Sequence, residues 1–412
     1  MHSTDWIALK NVTREVGVMQ GSHQTEGKMK ILNLKSAYAA FVFSAALFGH
    51  QINANAEDRE GYKGVPRTQL YASTMQEVTD TSSYKKDGPY IIGFSNASIN
   101  NTWRLGFHHA VLQAAAEHKD KIKQLIVTDA NDNPTKQIAD IQDLIQRGVD
   151  LLIVSAATAD ALDPVVTRAM EQGIPVVMVD RRVRSDNFVS FVTASNTVSG
   201  RIMAQWLAEE LGGKGNVIML GGGAGVAEAE MRVNSARQVF DAYPGIKVLD
   251  VQYTDWSAPK AKTITSALIQ SHGKEINAVW SDSGVQGVGA LEAFVDAGWK
   301  PGTIPPATCA DLNGCLRVAV ENQIPVINYD YPPGMGKDAV EVALKVLQGV
   351  PVPKIYEIAT DIVLSKGHDT QSVRADRWAE DYVQLDKPMD LILSTGLGPD
   401  YDPATFSPDY PK

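Results

Sequence analysis

The rhythm of apolar and polar positions changes at Tyr90. From there, continuous apolar runs at residues 90–94, 124–128, 151–154 and 175–179 alternate with segments whose apolar residues recur at helical spacing. Residues 102–117 bring Trp103, Phe107, Val111 and Ala114 to one face. Residues 133–146 do the same with Ile138, Ile141 and Ile145, and a third helix follows over 161–171. A strand at 188–193 closes this set, and the alternation then restarts. Helices are predicted at 196–211, 226–242, 258–271, 284–297 and 314–321, between strands at 216–220, 247–253, 278–281, 308–310 and 325–329. A last helix at 336–348 precedes an apolar strand at 355–363. Strands that are apolar throughout need cover on both faces, which parallel βαβ units supply. The pattern predicts an α/β fold of two Rossmann-like lobes.

One strand ends in chemistry. The run Ile174–Val179 stops abruptly at Asp180, Arg181 and Arg182. Side chains just past the carboxyl end of a parallel strand line the crevice where ligands sit. An acid beside a base there reads either as a hydroxyl-binding pair or as a surface salt bridge capping the strand.

Other segments imitate chemistry. Gly221-Gly222-Gly223-Ala224-Gly225 follows a strand and opens a helix, but Val226 stands where a phosphate fingerprint needs its last glycine, and no Gly-Lys-Ser/Thr follows. A loop with close backbone approach is the better expectation. The run 129–133 starts like a calcium loop, yet Pro134 and Asp140 occupy positions that require Gly and Glu. Asn133 as a helix N-cap with Pro134 in the first turn accounts for it. The eight histidines show no ligand spacing, and nothing resembles a nucleophile elbow.

Composition sets the outer bounds. A chain of 412 residues, 44% hydrophobic, can bury a large core over two or three domains, and a net charge of −10 argues against nucleic acid. Its two cysteines, Cys309 and Cys315, are too few for a disulfide framework; they read as one disulfide or as two small buried thiols. A basic start at Met29, an apolar segment from Ser36 to Phe48 and Ala54-Asn55-Ala56 form an export signal over 29–56, and the apolar run is too short for a spanning helix. Translation is expected to start at Met29, with residues 1–28 a misplaced start. Residues 57–88 read as a polar arm, and the Pro- and Asp-rich tail over 365–412 as a surface wrap.

Several motifs recur together. Gly93-Phe94-Ser95, Asn100-Asn101-Thr102-Trp103-Arg104, Asp129 with Asn133-Pro134 and Gln137, Gly148-Val149-Asp150, Val179-Asp180-Arg181, Ala194-Ser195-Asn196 and Gly287-x-Gly289-Ala290-Leu291 resemble the ribose/galactose-type periplasmic sugar-binding proteins. The likeness runs in unbroken order over residues 88–363. It implies a type I periplasmic binding protein fold, two lobes with parallel sheets joined by a three-crossover hinge that close around a sugar. The implied N-terminal lobe is 89–194 with 331–354, and the C-terminal lobe 195–330 with 355–364.

Carried over by position, the resemblance implies ligand contacts from Ser95, Asn101, Trp103, Asp180 and Arg181 in one lobe and Arg232, Trp256, Ser283, Asp282 and Asp311 in the other. Asp330 or Tyr329 falls near a hinge-proximal glutamine of the family. Arg104 replaces an aromatic of the ribose-binding pattern, which implies a ligand hydroxyl or acid there. The two tryptophans would sandwich C–H faces while carboxylates and guanidiniums take the hydroxyl rim. Asp180→Ala is expected to abolish binding and leave the fold intact. The implied partners are a sugar or polyol and the membrane permease of an ABC importer, with a chemoreceptor as the alternative, the protein being a periplasmic monomer without cofactor, metal or catalysis. An enzyme on the same fold is the other competing class.

Overall fold

The computed structural model describes residues 77–310, 312–398 and 401–412, all within one compact unit that spans 61–412. The expected start at Met29, the export signal, the first part of the arm and Asp311 lie outside the described residues.

Two parallel sheets carry the fold. The first orders β3 (Ile122–Asp129), β2 (Tyr90–Asn96), β4 (Leu151–Val154), β5 (Val176–Val179), β6 (Ser190–Thr193) and β13 (Ile355–Glu357). The second orders β8 (Gly245–Tyr253), β7 (Lys214–Gly221), β9 (Ala278–Ser281), β10 (Ala307–Cys309), β11 (Val326–Tyr329), β14 (Ile362–Leu364) and β15 (Arg377–Trp378). Among the described residues, only β11 and β14 pair antiparallel within them. Strands β4, β5, β9 and β11 are buried at every position, as double-sided helical cover requires.

Helices α1 (Thr102–Glu117), α2 (Pro134–Gln146) and α3 (Ala159–Glu171) connect strands of the first sheet. Helices α4 (Asn196–Glu210), α5 (Ala227–Asp241), α6 (Ala258–His272), α7 (Gly284–Asp296) and α8 (Asn313–Glu321) belong to the second, and α9 (Met335–Leu347) returns to pack on α1. The chain passes between lobes after β6, after β11 and between β13 and β14. The predicted strand at 355–363 is therefore two strands on different sheets. Ile355–Glu357 pairs with β6 in the first lobe, not in the second as expected, because Ile358–Asp361 crosses the hinge.

Local chemistry sets one helix start as predicted. Asn133 Oδ1 accepts the Lys136 amide and Pro134 opens α2, so the imitation calcium loop is a capped helix start. In the Gly287-x-Gly289 motif, a Cβ at Gly289 would lie 2.1 Å from the Ala258 carbonyl and one at Gly287 2.8 Å from Cys315 Sγ. These glycines let α7 pack tightly on its neighbours.

Cys309 and Cys315 form a disulfide, both fully buried, across the loop from β10 to α8. Closing so short a loop is worth about 2 kcal/mol on the loop-entropy estimate. The Cys309→Ala/Cys315→Ala variant should lose that amount in urea denaturation, and dithiothreitol should reduce wild type towards it but leave the variant unchanged.

The described parts of both terminal segments pack on the lobes. Residues 77–88 dock on the first lobe, where β1 (Val78–Thr79) pairs with β12 (Val352–Pro353) and Lys86 Nζ meets Asp150 at 3.0 Å. The tail adds β15 to the second sheet and then reaches the first lobe. There Tyr401 OH meets His109 Nδ1 at 3.0 Å, and the Pro411 carbonyl accepts the Leu125 amide of edge strand β3 at 2.8 Å.

Candidate functional site

The strand ends and helix starts of the two sheets face each other across a cavity of about 60 Å³. One water needs about 10–15 Å³, so the space has room for a small ligand in place of a few waters. From the first lobe it is lined by Asn101, Trp103, Arg104, Asp180 and Arg181. The second lobe supplies Glu228, Arg232, Trp256, Asp282 and Ser283, with apolar Val285 and Ala310, and Tyr331 enters from the hinge.

Asp180 follows β5 in a left-handed conformation, φ +62°, which turns its side chain to the cavity. Its Oδ2 accepts from Arg104 Nη1 at 2.5 Å and from Ser155 at 3.3 Å, which leaves Oδ1 for a ligand. Arg104 is only 2% exposed and also donates to the Ser98 carbonyl and to Asn96. Burial, reinforced by the nearby Arg181 charge, lowers its pKa to about 10. Arg104 is thus the internal counter-ion of Asp180, more than a replacement for an aromatic ring. Asn101 caps α1 by accepting the Arg104 amide at 2.9 Å.

Trp103 is anchored at the lobe junction. Its indole donates to the Tyr331 carbonyl at 2.6 Å and stacks on Phe107 with ring centroids 5.7 Å apart. Trp256, in a left-handed turn at φ +50°, lies flat on the glycine loop. A Cβ at Gly222 would sit 2.0 Å from its ring, which is why that loop is glycine. Asp282 ties the arrangement together, accepting from the Gly222 amide at 2.9 Å, from the Trp256 indole at 3.1 Å and from Gln286. Burial raises its pKa. The glycine run is a platform for an aromatic ring.

Arg181 crosses the cleft. Its guanidinium lies 4.7 Å from the Trp256 ring centroid and reaches Asp132 at 3.4 Å. Arg232 donates to Asn196 Oδ1 at 2.6 Å and to the Asp282 carbonyl at 3.3 Å, and lies over the Tyr331 ring at 4.2 Å. Tyr331 OH meets Thr193 Oγ1 at 3.1 Å, and burial raises the phenol pKa. Ser283 caps α7, accepting the Val285 amide at 3.2 Å.

Two expected contacts are not at the cavity. Ser95 is buried behind it, accepting from Gln137 at 3.2 Å. Asp330 is held by Asn328 at 2.8 Å and by Tyr382 of the tail at 3.2 Å, so a segment remote in sequence occupies the role expected of a ligand. Asp311 lies outside the described residues.

Glu228 was missed. It sits one helical turn before Arg232 on α5, a spacing that shares a face, and that was its only signal. Its Oε1 accepts the Arg182 amide of the other lobe at 3.0 Å, while Oε2 is buried without a hydrogen-bond partner. Burial first, and the Asp180 charge second, push its pKa up to about 7. Oε2 is thus the polar atom of this carboxyl open to a hydroxyl that enters the cavity. Tyr331, Val285, Ala310 and Ile392 of the lining were likewise unexpected.

A profile of the periplasmic binding protein domain matches residues 92–351. The ribose import binding protein of Salmonella typhimurium is 28% identical over 306 residues, 73% of this chain and 98% of that one. The xylitol-binding protein of Mycolicibacterium smegmatis is 33% identical over 175 residues, 42% of this chain and 50% of that one. Among solved structures, the periplasmic component of the arabinose ABC transporter from Shewanella sp. ANA-3, bound to L-arabinofuranose, is 26% identical with a TM-score of 0.62, covering 68% of this chain and 93% of that one. The fructose-binding periplasmic domain of a hybrid two-component system is 27% identical with the same TM-score of 0.62, over 68% and 92% of the chains. With the two parallel sheets, the three crossings and the cleft between them, these matches establish that the chain belongs to the periplasmic binding protein domain family.

Proposed function

We propose that this protein captures a neutral sugar or sugar alcohol between its lobes in the periplasm and delivers it, as a monomer, to the membrane permease of an ABC importer. The composition of the cavity carries the reading. Among the described residues, the guanidiniums of Arg104, Arg181 and Arg232 and the carboxyls of Asp180, Glu228 and Asp282 line it together, so neither sign of charge has the site to itself. Donors and acceptors stand side by side, as a hydroxyl that both gives and takes a hydrogen bond requires. Trp103 and Trp256 supply flat apolar surface for C–H faces. Glu228 and Arg182 meet only when the lobes approach, so a ligand held by both lobes favours the closed state. In this reading the protein binds its ligand without transforming it.

Thermal-shift measurements against pentoses, hexoses, inositols and pentitols test the reading, since a ligand of the folded state alone raises the melting temperature with concentration. At least one neutral polyol should do so, and calorimetry should return one site per chain. Silence across the panel, or conversion of any member by purified protein, overturns the proposal. The similarity to a two-component sensor domain favours a receptor as the second reading. Neighbouring genes for an ATPase and a permease would decide for transport, and a neighbouring membrane kinase for the sensor.

A further inference from the structure

The family match ends at residue 351, yet the cavity includes a residue well beyond it, Ile392. We propose that the C-terminal extension forms one wall of the ligand site and that Ile392 is a specificity-determining residue, selecting ligands that present a C–H or deoxy edge there. This rests on the polyol-binding reading above.

The extension is fixed where it meets the site. Asn313 at the start of α8 donates through its side chain to the Gln384 carbonyl at 2.8 Å and the Pro388 carbonyl at 3.1 Å, and accepts the Gln384 amide at 2.9 Å. The Asn313 and Gly314 amides donate to the Leu391 and Met389 carbonyls at 2.8 and 2.7 Å. These amides at a helix start need outside acceptors, and the extension provides them. Leu312 and Ile392 form an antiparallel bridge, and Ile392 is 5% exposed. At Gly334, a Cβ would lie 3.0 Å from the Thr395 carbonyl, so the segment beyond Ile392 is seated against the hinge. Ile392 is therefore held in place on both sides.

Its chemistry differs from the rest of the cavity. Ile392, Val285 and Ala310 are aliphatic side chains in a lining otherwise dominated by polar and aromatic groups. A ligand hydroxyl pointed at an aliphatic wall loses its water and gains no partner, whereas a methylene or methyl group loses nothing. The same side chain limits the length of ligand the cavity admits.

Calorimetry on full-length wild type, Ile392→Ala, Ile392→Asn and Ile392→Phe tests this, using pentoses, hexoses, pentitols and their deoxy counterparts. Ile392→Phe should weaken every ligand about 10-fold or more by filling the cavity, and Ile392→Asn should move the ratio of hydroxylated to deoxy affinities by about 10-fold towards the hydroxylated member. Ile392→Ala should admit larger ligands, and it keeps the test open should the polar variant fold poorly, as ligand-free melting will reveal. If folded Ala and Phe variants keep wild-type affinities within about twofold and the same rank order, the extension is packing only and this inference fails by itself. If wild type binds no member of the panel, both the polyol reading and this inference fall.

Discussion

Asp180→Ala is expected to cost about 3–5 kcal/mol of stability as well as ligand binding, because it strands the buried Arg104 guanidinium. Arg104 would keep the Ser98 carbonyl, Ser155 and Asn96 but no negative charge in contact. Alanine also tolerates the left-handed backbone at φ +62° poorly. To the expected loss of binding, this pairing adds a stability cost for Asp180→Ala. Asp180→Asn separates the effects, since asparagine accepts the backbone conformation and much of the shape while the charge is lost. The asparagine variant should be the more stable of the two in urea denaturation and equally deficient in binding. Arg104→Met combined with Asp180→Asn should recover stability without recovering affinity, because the stranded charge is gone and the hydroxyl clamp with it. Wild-type stability in Asp180→Ala would show that Arg104 is adequately held by neutral partners.

The second large effect belongs to Glu228 and is a pH dependence. Its carboxyl, with an ordinary pKa of 4.5, is raised to about 7 by burial and by Asp180. The folded state holds this proton more tightly than the unfolded chain. Its stabilising effect is therefore complete below pH 4.5 and is lost as pH rises through 7. The loss amounts to about 3 kcal/mol, and Glu228→Gln should flatten that part of the profile. A ligand hydroxyl donating to Oε2 favours the ionised form, so binding should release a proton, and affinity should rise by up to about 100-fold between pH 5 and pH 8. Calorimetry in buffers of different ionisation enthalpy reads the proton directly. If Glu228→Gln retains the wild-type pH profiles of stability and affinity, the titrating group lies elsewhere.

The two predictions differ in how far sequence could anticipate them. Asp180 and Arg181 stood out because a wholly apolar strand ended in charge, and the position of a strand end is local information. Glu228 is one acid among many on amphipathic helices. Its burial depends on which lobe approaches α5, and Arg182, whose amide it accepts, lies 46 residues away in the chain. Asp330 failed in the opposite direction: its position near the hinge was legible, but Tyr382, 52 residues on, holds its carboxylate.

By itself, the sequence determined the alternation of buried strands and amphipathic helices, the two lobes, the Asn133-Pro134 helix start and the strand end at Asp180. All of these follow from periodicity, capping and burial within a few turns of chain. Only the tertiary structure decided that Arg104 neutralises Asp180, that Gly222 is a bed for Trp256, that β13 and β14 fall on opposite lobes and that Ile392 walls the cavity. Those outcomes depend on which surfaces meet after the chain has crossed the hinge, and a residue's own neighbours in sequence do not encode its partner across a cleft.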